Sequence, residues 1–131
     1  MFNQLTKNIR RGKIIVMEIY CVLERLSVIA AKNPSITRMW VFGSRHEGGY
    51  NQNSDLDIAI KVKWVSGFGF CGSSLAIWSA AHETFKEEMQ KSCPYKLDLQ
   101  WYGSQDETPN IHSYIVKSSK LIYSKDTDIQ L

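Results

Sequence analysis

One segment of the sequence alternates largely between polar and apolar residues, and this pattern predicts a β-strand. The segment runs from Asp55 to Val62. Successive side chains of a strand point to opposite faces, so Asp55 and Asp57 share one face. The other face is apolar and is predicted to pack on the core; it carries Leu56, Ile58, Ile60 and Val62. The strand therefore presents two carboxylates on an exposed face.

A third acid, Asp98, lies in a second strand-like run over residues 96–101, where it alternates with Leu97, Leu99 and Trp101. If this strand lies beside the first, Asp98 joins the same face. Three anions so close together repel each other unless cations lie between them. Oxygen ligands favour Mg²⁺ or Mn²⁺ over zinc. Two such ions roughly 3.5–4 Å apart clamp the attacking and leaving oxygens of a phosphoryl transfer.

A glycine-serine turn precedes these acids. Residues 39–42 form a short apolar, β-prone run that ends at Gly43. Glycine there allows backbone amides to approach an anion closely. Ser44 can cap the turn or helix that follows, whose free N–H groups would point at a phosphate. Arg45 adds a forked, charged donor.

In order and spacing, these residues resemble the nucleotidyltransferase superfamily that includes DNA polymerase β. The resemblance is strongest to its small prokaryotic branch of minimal nucleotidyltransferases. Gly48 and Ser54 also match the pattern of that family, which is Gly-Ser-Arg, two residues, Gly, and then Ser-Asp-x-Asp. The resemblance implies an α/β (α+β) nucleotidyltransferase fold, with a small mixed sheet of three to four strands flanked by helices.

The resemblance also implies a role for each site residue. Gly43-Ser44-Arg45 would hold the phosphates of a nucleoside triphosphate. Asp55 and Asp57 would hold two Mg²⁺ or Mn²⁺ ions, and Asp98 would bind the ion nearer the acceptor and help to remove its proton. The reaction expected is transfer of a nucleoside monophosphate, AMP from ATP, to a hydroxyl group, with release of pyrophosphate.

Minimal relatives often act beside a helical HEPN protein, a toxin that they adenylylate as its antitoxin, so the expected partner is a HEPN-type toxin. Two hypotheses stay open. The protein is an enzyme of this kind, or it is a non-catalytic module that binds nucleotide or a partner protein and neutralises the partner by binding. Small-molecule transfer of the aminoglycoside type is a third possibility, although such relatives usually carry an additional helical domain.

Composition agrees with one cytoplasmic domain over residues 1–131, large enough to bury a core. The three cysteines, Cys21, Cys71 and Cys93, lack metal-ligand spacing and are predicted to be reduced and mainly buried. The net charge of +3 is mild and forms no long basic stripe, so dedicated nucleic-acid binding is not expected. The apolar run of the first helix is broken by charges, which excludes a signal peptide and a membrane span.

Periodicity and breakers predict the remaining elements. Residues 1–13 either extend the first helix or form a loose basic arm. Residues 64–72 form an aromatic-glycine loop that either folds onto the core or stacks on a base or a partner. His46 is the histidine placed to reach a triphosphate, and Thr108 is expected to cap a helix that starts with proline. The predicted helices cover about 14–32 and 73–90 and begin again at Thr108-Pro109, and the strands cover about 38–43, 55–63, 95–102 and 121–123.

Overall fold

The chain folds into a four-stranded sheet that has helices on both faces. A computed structural model describes residues 11–51, 53–63 and 73–125. The sheet is mixed and has four strands, as the sequence predicts. The elements of the described residues are α1 (Arg11–Ala31), β1 (Ile36–Phe42), α2 (Ser44–Glu47), β2 (Leu56–Val62), α3 (Ser74–Gln90), β3 (Leu97–Trp101), α4 (Pro109–Lys117) and β4 (Ser119–Ser124).

The strand order across the sheet is β3-β2-β1-β4. β1 runs antiparallel to both of its neighbours, whereas β2 and β3 are parallel. A parallel pair cannot be joined by a tight hairpin, and the crossover here contains α3. The first residues of β2 and β3 therefore lie side by side at the same end of the sheet. This topology brings the two acid-bearing segments to the same end of the sheet.

One face of the sheet carries the main hydrophobic core. Leu56, Ile58 and Ile60 of β2 have no solvent exposure, which confirms the predicted facing of this strand. Leu26 of α1 and Met89 of α3 are equally buried and pack over them. Full burial of one such side chain stabilises the fold by about 1.5–3 kcal/mol. The helix stripe and the strand alternation therefore fix which face of each element points inward.

The opposite face of the sheet is covered only over its middle. A smaller cluster of buried residues lies there, and Ile111 and Ile115 of α4 pack against it. The sequence analysis predicted that the face with the acids is exposed, so the partial cover by α4 is a correction. Its cause is the apolar side of α4, which requires a surface to bury against. The cluster consists of Phe42, Ala59 and Tyr102.

Ser73 caps its helix with a side-chain hydrogen bond, whereas the predicted cap residue Thr108 makes none. Ser73 caps α3, since its hydroxyl accepts a hydrogen bond from the amide of Ala76 at 3.2 Å. Thr108 precedes Pro109 as predicted, but its hydroxyl makes no cap bond to α4. Instead it accepts from the amide of Gly103 at 3.1 Å and so ties the end of the sheet to the start of the helix.

The predictions for the cysteines are only partly correct. Cys93 is buried, whereas Cys21 is exposed on α1. Its neighbours Val22 and Leu23 point into the core, so the helical period turns Cys21 to solvent. Cys71 and the aromatic-glycine loop lie outside the described residues, as do residues 1–10. No described helix is both long enough and apolar enough to span a membrane.

The facing of β2 can be tested with Leu56→Asp. This change buries an unpaired carboxylate where the native side chain has no exposure, so we expect the domain to unfold or to lose at least about 3 kcal/mol of stability. Lys63→Asp is the matched control, because Lys63 is exposed just beyond the same strand. Circular dichroism with urea unfolding measures both. A folded Leu56→Asp variant of native stability would show that the strand faces the other way.

Candidate active site

Asp57 and Asp98 are direct neighbours across two parallel strands. The pairing of β2 with β3 aligns Leu56 with Leu97 and Asp57 with Asp98. Because both leucines are fully buried on one face, both aspartates point to the other. The two carboxyl groups are close enough for Asp98 to raise the pKa of Asp57. The structure thus brings together two of the three predicted acids, and they lie on the predicted face.

Crowding of the acids changes the protonation of Asp57. Its pKa is raised from 3.8 to about 6, first by burial, then by the hydrogen bond to Asp98 and by the negative charges of Asp98 and Asp55. Asp55, the residue before β2, is therefore close enough to act on the pair through charge repulsion. A nearby negative charge typically raises the pKa of a carboxyl group where two acids share one site.

The acids are suited to hold a divalent cation. Two carboxyl groups in contact offer hard oxygen ligands, and a cation between them would relieve the repulsion that raises the pKa of Asp57. In the described part of the chain, no three Asp, Glu, His or Cys side chains are grouped closely enough to hold a metal ion. Asp55 is therefore a neighbour of the pair rather than part of a preformed triad, and its role as a third ligand stays a prediction.

Gly43 forms the turn that faces these acids. It ends β1 with φ 82° and ψ −165°, a conformation that is essentially restricted to glycine. A Cβ atom at this position would clash with the carboxylate of Asp57. Gly43, not Ser44, occupies the N-cap position of α2, so the prediction that Ser44 caps this helix is wrong. Ser44 is instead the first helical residue and lines the same cavity as the acids.

Arg45 contacts the loop before Asp55 and lines a different cavity from that of Asp57 and Asp98. Its Nε donates to the carbonyl of Ser54 at 2.9 Å, and its guanidinium lies over the rings of Tyr50 and Tyr95, 4.9 and 4.0 Å from their centroids. Arg45 therefore holds the loop that leads into Asp55. Its predicted contact with phosphate stays a prediction.

His46 lies beside Arg45 in the wall of a different cavity, which is formed by α1, α2 and the tyrosines. The structure does not place His46 among the residues around the acids. The other two histidines have structural contacts: His82 stacks on Trp78, and His112 is bonded to Tyr102.

The acids and the turn share one cavity of about 630 Å³. This volume is within the usual range for sites that bind small molecules. The floor is formed by Asp57 and Asp98, and one wall by the turn at Gly43. Residues of α4 also line the cavity. The residues around the cavity are Phe42, Gly43, Ser44, Glu47, Gly49, Asp57, Asp98, Gln100, Asn110, Ile111 and Tyr114.

Two contacts hold α4 in place as a wall of this cavity. The hydroxyl of Tyr102 is hydrogen-bonded to Nδ1 of His112 at 2.6 Å, which ties the helix to the end of β3. The ring of Tyr114 stacks on Phe42 at a centroid distance of 6.0 Å and an interplanar angle of 14°. Because Phe42 is the last residue of β1, the aromatic pair lies next to the glycine turn.

Gln100 is a site residue that the sequence analysis missed. Its Nε2 lies 3.0 Å from each carboxylate oxygen of Asp98. The signal was present in the sequence: Gln100 is two residues after Asp98 on a strand, and so it must share the face of that acid. A glutamine in a strand is more often a surface residue, and only the contact itself identifies its role.

A glycine-serine turn that faces paired carboxylates on a small mixed sheet defines the nucleotidyltransferase class. A family model described as polymerase beta, nucleotidyltransferase, matches residues 24–128, and the chain belongs to this family. This confirms the family that the sequence motifs indicate.

Two solved structures are similar to this chain, and the first of them supports the fold. A structure described as a toxin-antitoxin with AMP-PNP is similar to this chain with a TM-score of 0.51 and 18% identity, over 82% of this chain and 77% of the other. A candidate nucleotidyltransferase from Sulfolobus solfataricus shows a TM-score of 0.46 and 18% identity, over 86% and 88% of the two chains. No curated protein matches the sequence.

Gly43→Ala tests the turn. The change places a Cβ against the carboxylate of Asp57 and forces alanine into a strained conformation, so we expect a loss of about 1–3 kcal/mol in the free energy of unfolding. Gly49→Ala is the matched control: Gly49 lines the same cavity, has no positive φ and has open space around its Cβ position. Equal stability of the two variants in urea unfolding would contradict the assigned role of Gly43.

Asp57→Asn tests the electrostatics of the acids in metal-free buffer. Because the pKa of Asp57 is raised in the folded state, its contribution to stability is most favourable at low pH and declines as pH rises from about 4 to about 6. Asparagine mimics the neutral form. We therefore expect Asp57→Asn to be more stable than the native protein above pH 6, with an advantage that shrinks toward pH 4.

Urea unfolding with a chelator present, repeated across this pH range, measures the effect. Asp106→Asn removes a carboxylate from an exposed loop and serves as the control. An advantage of Asp57→Asn that grew toward low pH would mean that the sign of the pKa shift is wrong.

Proposed function

We propose that the protein transfers AMP from ATP to a hydroxyl group of a partner protein and releases pyrophosphate. The observation that carries this proposal is the in-register pair of Asp57 and Asp98, which lies against the Gly43 turn and lines one cavity with it. Acids alone would suggest a cation site, and a glycine turn alone would suggest a loop. Because the acids and the turn line the same cavity of about 630 Å³, their arrangement supports phosphoryl transfer.

Some of these residues would bind the phosphates and the metal ions, and one of them would accept a proton. Gly43 and Ser44 would hold the phosphates at the turn, where the glycine allows close approach of the backbone. Two Mg²⁺ or Mn²⁺ ions, held by Asp55, Asp57 and Asp98, would supply the positive charge that stabilises the transferred phosphoryl group. Asp98 would take the proton from the acceptor hydroxyl as the bond to phosphorus forms. Asp57 would act in its charged form, which dominates at neutral pH because its pKa is about 6.

A protein acceptor is supported by the charge of the chain and by one structural likeness. A net charge of +3 offers little electrostatic attraction for a nucleic-acid strand. The structure with AMP-PNP is described as a toxin-antitoxin, and its fold is similar to this one. We therefore propose a cytoplasmic setting in which the partner is a HEPN-type toxin and the transfer of AMP inactivates it.

The test is incubation with ATP labelled at the α-phosphate, Mg²⁺ and the candidate partner protein. We expect label on the partner and release of pyrophosphate. Asp55→Asn, Asp57→Asn and Asp98→Asn should each reduce labelling at least about 100-fold, because each removes part of a charge cluster that contributes several kcal/mol to catalysis. The matched control, Asp106→Asn, removes an exposed loop carboxylate and should keep the native rate.

Three outcomes would overturn parts of this proposal. Efficient extension of an RNA or DNA primer would replace the protein acceptor with a nucleic acid. Partner binding that proceeds without labelling, and that is unchanged when all three aspartates are replaced, would identify a binding module that neutralises its partner without turnover. Labelling of an added aminoglycoside in place of protein would assign a small-molecule acceptor.

A further inference from the structure

Gln100 makes an unusual contact with the carboxylate of Asp98. Its single amide nitrogen is 3.0 Å from both carboxylate oxygens, so it straddles the acid rather than touching one edge. A carboxylate only accepts hydrogen bonds, and this identifies the nitrogen of the glutamine as the atom that faces it. The contact joins residues two apart on β3, and both side chains line the cavity.

The residue beside Gln100 on the neighbouring strand offers no side-chain partner to its amide. The register partner of Gln100 on β2 is Ala59, which is fully buried and has no side chain that could bind an amide. Among the described residues, the hydrogen bonds of the Gln100 side chain go to Asp98 alone. Asp98 in turn reaches across to Asp57. The chain of contacts therefore runs from Gln100 through Asp98 to the acid on the adjacent strand.

We propose that Gln100 is the positioning residue of the acid pair: its amide holds the Asp98 carboxylate in the orientation in which that group and Asp57 together receive a divalent cation. This inference rests on the proposed function, because it assumes that the pair binds metal. Partners that orient metal ligands typically change metal affinity or activity by about 10–100-fold when they are removed.

The chemistry of an amide suits this task better than that of a charged donor. Lysine or arginine at position 100 would also bind the carboxylate, but its positive charge would compete with the metal ion for the same anions. Glutamine is neutral, so it restricts the rotation of Asp98 and leaves the negative charge of the pair in place to attract the cation. Orientation is thereby gained without loss of electrostatic attraction.

The experiment measures binding of Mn²⁺ alone, without nucleotide, by electron paramagnetic resonance at neutral pH. Gln100→Met keeps the length of the side chain and removes the donor, and Gln100→Ala serves as a second variant in case methionine perturbs packing. We expect both to bind Mn²⁺ about 10–100-fold more weakly than the native protein. Gln105→Met, a change of the same kind at an exposed loop glutamine, should leave the affinity unchanged.

A second readout separates positioning from direct catalysis. At saturating Mn²⁺, Gln100→Met should recover most of the native rate of AMP transfer, whereas Asp98→Asn should not, because it lacks the ligand itself. Melting temperatures in metal-free buffer should be equal for native protein and Gln100→Met. An equal melting temperature with weakened Mn²⁺ binding supports positioning, and a large drop in melting temperature would assign Gln100 a structural role instead.

The outcomes also distinguish failure of the role of Gln100 from failure of the proposed metal site. If the native protein binds Mn²⁺, Asp57→Asn does not, and Gln100→Met binds as tightly as the native protein, the acid site stands and the role of Gln100 is overturned. If the native protein and every variant fail to bind Mn²⁺, the metal site of the proposed function fails and the role of Gln100 fails with it.

Discussion

The site depends on the register in which β2 pairs with β3. Leu56 lies beside Leu97 and Ile58 beside Leu99, and these apolar pairs hold the two strands against the core. The same register places Asp57 beside Asp98 on the other face. A slip of one residue would turn the leucines to solvent and the aspartates into the core, at a cost that the domain could not sustain. Burial on one side of the sheet thus enforces proximity of charge on the other.

This coupling explains how a small domain tolerates two acids in contact. The pKa of Asp57 is raised first by burial and then by the neighbouring Asp98, so between about pH 4 and 6 the folded state holds a proton that the unfolded chain would release. The fully buried side chains of β2 contribute more to stability than this crowding removes, since each contributes about 1.5–3 kcal/mol. The crowding lowers stability locally, as is typical of active sites in an otherwise stable fold.

The sequence predicted the parts of the site that depend on alternation and spacing. The core side of β2, the shared face of Asp57 and Asp98 and the glycine turn all follow from local patterns. Other features depend on contacts between distant segments. Arg45 binds the loop at Ser54 and stacks on Tyr95, a contact that no local pattern predicts.

Two predictions, which concern the start of α2 and the exposed face of the sheet, were wrong. The capping assignment of Ser44 was wrong by one position, because Gly43 can adopt a positive φ that brings the helix start forward. The cover that α4 places over half of the sheet could not be anticipated, since the apolar period of a helix shows that it must pack but not which surface it packs on.

The position of α4 decides which part of the sheet can do chemistry. By burying Phe42, Ala59 and Tyr102, the helix removes the middle of this face from solvent and leaves the acid end accessible. The bond between Tyr102 and His112 anchors the helix at the end of β3, and the stack of Tyr114 on Phe42 fixes it next to the glycine turn. A site formed by the sheet alone would be a flat surface, where water screens charge strongly. The helix makes it a walled cavity in which the charges of the acids act over a shorter and less screened distance.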